Sequence, residues 1–198
     1  LSWRAVHIED TELIARARTG DVTAYESIVR RYQDVAMRTA HLICPEADAD
    51  DAVQEAFIKA FAALPRFREG APLRPWLLRI VANEARNRRR SAGRRHGLAL
   101  RVADAADPGR SVPGPEQVVI AAEQRTELLA ALATLRDDDR EVLGARFLLD
   151  LSEAETAETL GIPRGTVKSR TSRALGRLRA ALEPTADATA ALGQEVDR

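Results

Sequence analysis

Leu151–Arg179, LSEAETAETLGIPRGTVKSRTSRALGRLR, reads as two helices joined by a tight turn, the second of them heavily basic. Ser152 can cap the first helix, Gly161 is suited to its C-terminal end, and Pro163 has the fixed φ that suits the opening of the next. In the second helix Val167, Thr171, Ala174, Leu175, Leu178 and Leu182 recur at helical spacing and form a mainly apolar face. The opposite face carries Gly165, Ser169, Ser172 and Arg173, small or hydrogen-bonding groups able to enter a major groove and reach base edges. Arg164, Lys168, Arg170, Arg177 and Arg179 flank it, and no acid interrupts Thr159–Leu182. A solvated basic helix would explain the charge alone. Cap, turn, apolar stripe and basic face in this order instead predict a helix-turn-helix that meets DNA phosphates.

Working outward, the 198 residues allow one or two small domains, and 45% hydrophobic residues suffice for a core in each. Aromatics are only 4%, so those cores rest on Ala, Leu and Val. The chain has 30 basic and 30 acidic residues, a formal net charge of +0, but they are unevenly placed. Arg86, Arg88, Arg89, Arg90, Arg94, Arg95 and Arg101 form an acid-free run, while acids concentrate at Glu46–Glu55, Asp137–Glu141 and Asp150–Glu158. Different faces should therefore meet partners of different charge. Cys44 is the only cysteine, which excludes an intramolecular disulfide and a zinc site of several thiolates, and it reads as a small half-buried hydrophobe. No apolar stretch approaches the ~20 residues of a membrane span and no secretory segment opens the chain, so a cytoplasmic protein is expected. The chain opens on Leu1, and an initiating Met is expected ahead of it.

Helical periodicity dominates and predicts an all-α fold of two small domains joined by a flexible linker. Asp10 is expected to cap a helix over Thr11–Thr19, ended by Gly20. Asp21 is expected to cap a longer one through Ile43, with Tyr25, Ile28, Val29, Tyr32, Val35, Ala36 and Leu42 inward. A third helix, Asp48–Leu64, places Val53, Ala56, Phe57, Ala60, Phe61 and Leu64 on one stripe, and Asp48, Asp50 and Asp51 in its first turn suit the helix dipole. After Pro65 and the loop RFREGAPLRP, a fourth helix runs from Leu73 or Pro75 to Ser91 with Trp76, Leu77, Ile80 and Val81 inward. These four helices make a first domain, residues 10–95. Gly, Pro, Ser and Asp cluster in a linker, residues 96–115. Residues 116–183 form a second domain, with Val118, Leu128, Leu129, Leu132, Leu135, Val142, Leu143, Phe147 and Leu148 inward ahead of the helix-turn-helix. Residues 184–198 are an Ala/Thr/Asp-rich tail, expected to be mobile.

The motifs and their order resemble the extracytoplasmic-function (ECF) group of bacterial RNA polymerase sigma factors. The resemblance covers Asp10–Ser91 and Glu116–Leu182. It is carried by GDVTAYESIVRRY, DADDAVQEAFIKAF and PRFREGAPLRPWLLRIVAN in the first domain, and by LRDDDREVLGARF and the helix-turn-helix in the second. It implies that the two domains are sigma regions 2 and 4. Asp48, Asp51, Gln54, Glu55 and Ile58 would then grip the clamp helices of the largest polymerase subunit; as residues alone, the aspartates are explained as well by a capped, solvated helix. The flap of the second subunit and an anti-sigma factor are further partners the resemblance implies. Arg66, Phe67, Arg68, Arg74 and Asn83 would read the minus-ten promoter element, where a base is flipped out and held. Trp76 reads as core, on one stripe with Leu77 and Ile80. Arg164, Gly165, Thr166, Lys168, Ser169, Ser172 and Arg173 would read the minus-thirty-five element. Four positions depart from the usual pattern: Arg89 and Thr156 stand where the group has apolar residues, Asn87 where it has Asp, and Ala52 where it has Leu.

A promoter-specificity subunit of this kind needs no cofactor and no metal, and is not an enzyme. A stand-alone helix-turn-helix regulator would leave the first domain without a role. A nucleic-acid enzyme built on Asp48, Asp50, Asp51 and Glu55 would lack a candidate base and a second carboxylate motif for two-metal chemistry.

Overall fold

The structure is a computed structural model that describes residues 3–68, 70–99 and 127–183, with side chains over 10–68, 70–92 and 127–183. Helix α1 is Trp3–Arg18, α2 Val22–Ile43, α3 Glu46–Ala63 and α4 Leu73–Ala99, with a 3-10 turn at Leu64–Arg66 before α4. Residues 127–134 form α5. They are followed by α6 at Asp137–Leu143, a π-helical turn at Gly144–Leu148, α7 at Glu153–Leu160 and α8 at Arg164–Leu182. The described residues contain no strand. The expected linker beyond Ala99 and the tail 184–198 lie outside the described residues, as does Val118.

Two boundaries correct the sequence reading. Asp10 caps nothing: α1 begins earlier, and Asp10 sits inside it, 4% exposed, accepting hydrogen bonds from Tyr32 Oη and from Arg31 Nη1 at 2.7 Å. A carboxylate taken out of water needs such donors, and this one ties α1 to α2. Burial, with the Asp10 carboxylate beside it, pushes the Tyr32 hydroxyl well above the usual tyrosine range. Helix α4 does not stop at Ser91; its backbone stays helical to Ala99, into the segment expected as linker.

Asp21 does cap α2, accepting from Ala24 N at 3.1 Å, and Arg16 Nε donates to it at 2.9 Å; both bonds hold its carboxyl below the usual carboxylate range. The core of the first unit is Ile28, Val35, Ala36 and Ala40 from α2, Ala49, Ala52, Val53, Ala56 and Ala60 from α3, and Leu77, Leu78, Val81, Ala82 and Ala85 from α4. The many alanines let the helices approach closely, which explains how so few aromatics suffice. Cys44 is buried, with Sγ 3.4 Å from Ala40 O, and burial pushes its thiol pKa up. It is a packing residue.

Region 151–183 follows its motif. Ser152 Oγ accepts from Glu155 N at 3.2 Å while Glu155 Oε2 accepts from Ser152 N at 2.9 Å, a reciprocal capping box. Gly161 ends α7 at φ +69°, and Ile162 N reaches back to Ala157 O at 3.0 Å. Val167 and Ala174 anchor α8, whereas Leu175 is 42% exposed and not inward as expected. Nor are Leu128, Leu129, Phe147 and Leu148 core residues; all four are exposed.

The buried core is continuous between the two halves. Leu135, Val142, Leu143, Leu149, Leu151 and Leu160 belong to the same cluster as the α2–α4 residues, with α7 lying against α4 and α6 against the end of α2. Gly144 permits this approach, because a Cβ there would lie 2.3 Å from both Leu42 methyl carbons. No described helix is long and apolar enough to cross a membrane.

Candidate nucleic-acid and polymerase interfaces

On α8 the expected minus-thirty-five residues share one accessible side. Arg164, Gly165, Lys168, Ser169, Ser172 and Arg173 are exposed and Thr166 is half-buried. Arg173 Nε rests on Ser169 O at 3.2 Å, a local bond on the helix itself. The other cations divide in a way the charge run concealed. Arg170 pairs with Asp138 at 3.1 Å and Arg177 with Asp139 at 2.5 Å, both facing α6. Their expected place on the phosphate flank is corrected: they fasten α8 to α6. Among the described residues Arg164 and Lys168 form no ion pair, which leaves a compact cationic patch beside the small residues that a groove can admit.

The expected minus-ten residues are not gathered on one free surface. Arg66, Arg68 and Asn83 are exposed. Phe67 is 5% exposed, its ring centroid 4.8 Å from that of Trp76 and its carbonyl accepting from Arg18. This corrects the expectation that Phe67 offers a free π-face: leaving α3 through Pro65, the chain needs an apolar anchor, and Phe67 supplies it. Trp76, read as core, is only partly buried and helps line a pocket of about 470 Å³ with Phe67, Arg68, Gly70, Ala71, Pro72 and Glu158. Arg74 points to the other half of the molecule, its Nη2 donating to Leu149 O at 2.7 Å. Asn83 Oδ1 accepts from Arg86 Nη1 at 3.4 Å.

On α3 the expected polymerase-gripping residues do share an outward face. Asp51 and Gln54 are exposed, Asp48 and Glu55 half-buried, and Ile58 is 58% exposed. Asp51 pairs with Arg88 at 2.9 Å, and Lys59 bridges Glu55 at 3.4 Å and Glu84 at 2.8 Å. Two carboxylates on one face thus have cationic partners already, and among the described residues no three of His, Cys, Asp and Glu converge as a metal site would require. Beside them runs a groove that the sequence reading missed. Val22, Tyr25, Val29, Gln54, Phe57, Ile58 and Phe61 line about 520 Å³, and Val22, Ile58 and Phe61 are exposed. Phe61, expected inward, stands edge-on to Tyr25 at 4.8 Å. Tyr25 Oη donates to Phe57 O at 2.5 Å; burial pushes its pKa up to about 12. The signal was present: Gln54, Ile58 and Phe61 recur at i, i+4 and i+7, a stripe adjoining the core stripe.

A helix-turn-helix with a bare basic face, joined to a second helical unit with its own acidic, amide and apolar surface, defines a DNA-reading protein with a protein partner. Residues 28–95 match the sigma-70 region 2 family model and residues 131–180 that of sigma-70 region 4. The chain is 35% identical over 176 residues to the RNA polymerase sigma factor NccH of Alcaligenes xylosoxydans xylosoxydans, covering 88% of this chain and 95% of that protein. It is 32% identical over 173 residues to the ECF RNA polymerase sigma-E factor of Escherichia coli strain K12, covering 84% and 91%. Two solved structures are similar in fold. One is CnrH in complex with the cytosolic domain of CnrY, at TM-score 0.64 and 28% identity over 88% of this chain and 97% of that one. The other is the sigma factor RpoE of Bartonella quintana in complex with the anti-sigma factor NepR, at TM-score 0.61 and 25% identity over 81% and 98%. The chain belongs to the ECF RNA polymerase sigma factors. It is therefore a transcription-initiation factor and not an enzyme.

Proposed function

We propose that this chain binds core RNA polymerase through the outward face of α3 and directs it to promoters, region 4 reading the minus-thirty-five element and region 2 reading and helping to melt the minus-ten element. The observation that carries the reading is the division of charge on α8: Arg170 and Arg177 are spent on α6, while Arg164, Lys168 and Arg173 stand bare around Gly165, Ser169 and Ser172. Arg173 is the candidate for bidentate contact to a guanine, with Arg164 and Lys168 on phosphates. In region 2, Arg66, Arg68 and Asn83 are the accessible members of the reader, and the pocket between Arg68 and Trp76 is the candidate seat of an extruded base. Asp48, Asp51, Gln54, Glu55 and Ile58 supply charge and apolar contact to a basic partner helix. The similar structures solved with the cytosolic domain of CnrY and with the anti-sigma factor NepR support an anti-sigma factor as a further partner. Its place of action is then that of the polymerase, the cytoplasm.

Run-off transcription with core polymerase on a genomic library tests the reading. Initiation at a set of sites sharing two elements at fixed spacing is expected. DNA binding without co-purification of core polymerase, or without initiation, would leave only a simple regulator.

A further inference from the structure

We infer that Arg18 of α1 is a positioning residue for the minus-ten reader, clamping the turn from which Arg66 and Arg68 face outward. The inference deepens the proposed reading of the 66–75 loop and rests on it. Helix α1 lies ahead of the stretch matched to region 2, residues 28–95, yet its last residue reaches across to the chain leaving α3. Arg18 Nε donates to Leu64 O at 3.0 Å, and its Nη2 donates to Phe67 O. Leu64 O also accepts from Phe67 N at 3.0 Å, so one planar guanidinium spans both ends of the turn that this bond closes. Carbonyls at the end of a helix favour such a cation. The clamp is itself held in place. Gly20, at φ +94°, lets Gly20 N reach Ala17 O at 3.1 Å and Asp21 N reach Arg16 O at 3.2 Å, the paired bonds that fix a helix end. Ile14 and Ala17 are buried on the same helix, and Asp10 ties it to Arg31 and Tyr32 of α2.

What the clamp holds bears directly on DNA. Phe67 has extended backbone, φ −63° and ψ 132°, so the side chain of Arg68 leaves opposite to that of Phe67. The ring packs on Trp76 and fixes where Phe67 lies; the bond from Arg18 fixes how its carbonyl is turned, and hence which way the next side chain points. Arg68 is exposed as a result, and so is Arg66, the last residue of the clamped turn. The loop then doubles back, Ala71 N closing on Arg68 O at 3.2 Å, and only a narrow cleft of about 40 Å³ separates Gly70 and Ala71 from Ile14 and Ala15 of α1. Helix α1 is thus the wall against which the reading loop is set. Arg18 itself is half-buried behind that loop.

The test titrates holoenzyme, reconstituted from the full chain, with fluorescein-labelled DNA: a single strand carrying the minus-ten sequence found by run-off, and a minus-thirty-five duplex. Arg18→Ala is expected to weaken the single strand about tenfold, and to leave the duplex and core polymerase within about twofold. Arg18→Lys keeps the charge but cannot span both carbonyls, so it should fall between, and it serves if Arg18→Ala fails to fold. Wild-type affinity for the strand in both variants, or an equal loss on strand, duplex and core, would overturn the inference. With Arg66→Ala and Arg68→Ala already in place, Arg18→Ala should cost less than about a further twofold, because it acts through those two residues. A full tenfold loss on that background would show that Arg18 acts by another route and would overturn it too. Hydrogen exchange reads the clamp without DNA: in Arg18→Ala the Phe67 and Ala71 amides should exchange about tenfold faster while those within α2 stay as they were. Unchanged exchange there would refute the clamp. If exchange quickens but Arg66→Ala with Arg68→Ala binds the strand as wild type does, Arg18 still sets the loop and the reading of that loop falls.

Discussion

Reversing two charges on α3, Asp51→Arg with Glu55→Arg, separates partner binding from folding, and the structure fixes what each should lose. Asp51 is 60% exposed and holds only Arg88, while Glu55, 42% exposed, holds Lys59 at a longer distance than Glu84 does. One exposed cross-helix pair contributes about 0.2–1 kcal/mol and one i,i+4 pair about 0.3–0.5 kcal/mol. Setting an arginine against Arg88 adds repulsion of similar size. The fold should thus lose about 1–2 kcal/mol, and since each kcal/mol is worth roughly 2–4 °C in a chain of this size, the midpoint falls by about 2–8 °C with helicity intact. Binding has more to lose. Charges opposed across a desolvated interface cost about 2–5 kcal/mol, a weakening of roughly 30-fold to several thousandfold. Circular-dichroism melts and fluorescence anisotropy with labelled core polymerase at two salt concentrations measure both. Core affinity within threefold of wild type would refute the assignment. Loss of helicity or a much larger drop in midpoint would mean that the face is structural.

Arg173→Ala is expected to relax selectivity at one position of the minus-thirty-five element by about 1–3 kcal/mol, whereas Lys168→Ala should weaken all DNA alike and flatten the salt slope by about one charge; equal losses for Arg173→Ala on specific and unrelated duplexes would sink its base contact. Thr156 is fully buried with Oγ1 unpartnered, so Thr156→Val, which keeps the shape and removes the stranded hydroxyl, should stabilise the chain by about 1–2 kcal/mol; a melt at or below the wild-type midpoint would show that the hydroxyl is satisfied. Lengthening the 100–115 segment by a few Gly and Ser residues should leave the optimal promoter spacer unchanged, because both regions are expected to be fixed on one polymerase; an optimum that grows with the insert in a spacing series would show that the chain alone tethers them.

The helix-turn-helix was legible in detail because its signals are local: a cap, a glycine at φ +69° and an apolar stripe are set within a few residues of one another. That Asp51, Gln54 and Ile58 lie on an outward face of α3 was legible for the same reason, whereas the partner assigned to that face came from the resemblance alone. What escaped were choices made between elements. Asp10 has the right chemistry and position for a helix cap, and only the approach of Arg31 and Tyr32 makes it a buried tie between α1 and α2. Phe67 lies among arginines in a loop, which suggests a stacking ring, but whether a lone aromatic faces solvent or core depends on what closes over it, here Arg18 and Trp76. Leu128, Leu129, Phe147 and Leu148 obey the pattern of a core and are exposed, because periodicity marks a face as apolar without saying what covers it.

Arg89 and the neutral total charge are explained together. A chain with a formal net charge of +0 is a poor polyelectrolyte partner for DNA unless its acids are occupied elsewhere. The α6 run does this: Asp138 and Asp139 neutralise Arg170 and Arg177, and Glu141 neutralises Arg86 and Arg89. The first two pairs lie within region 4. Those of Glu141 join the two regions, α6 to Arg86 and Arg89 of α4. An apolar residue at 89 would take away one of the two cations that hold the buried Glu141 carboxylate, leaving Arg86 alone to compensate its charge.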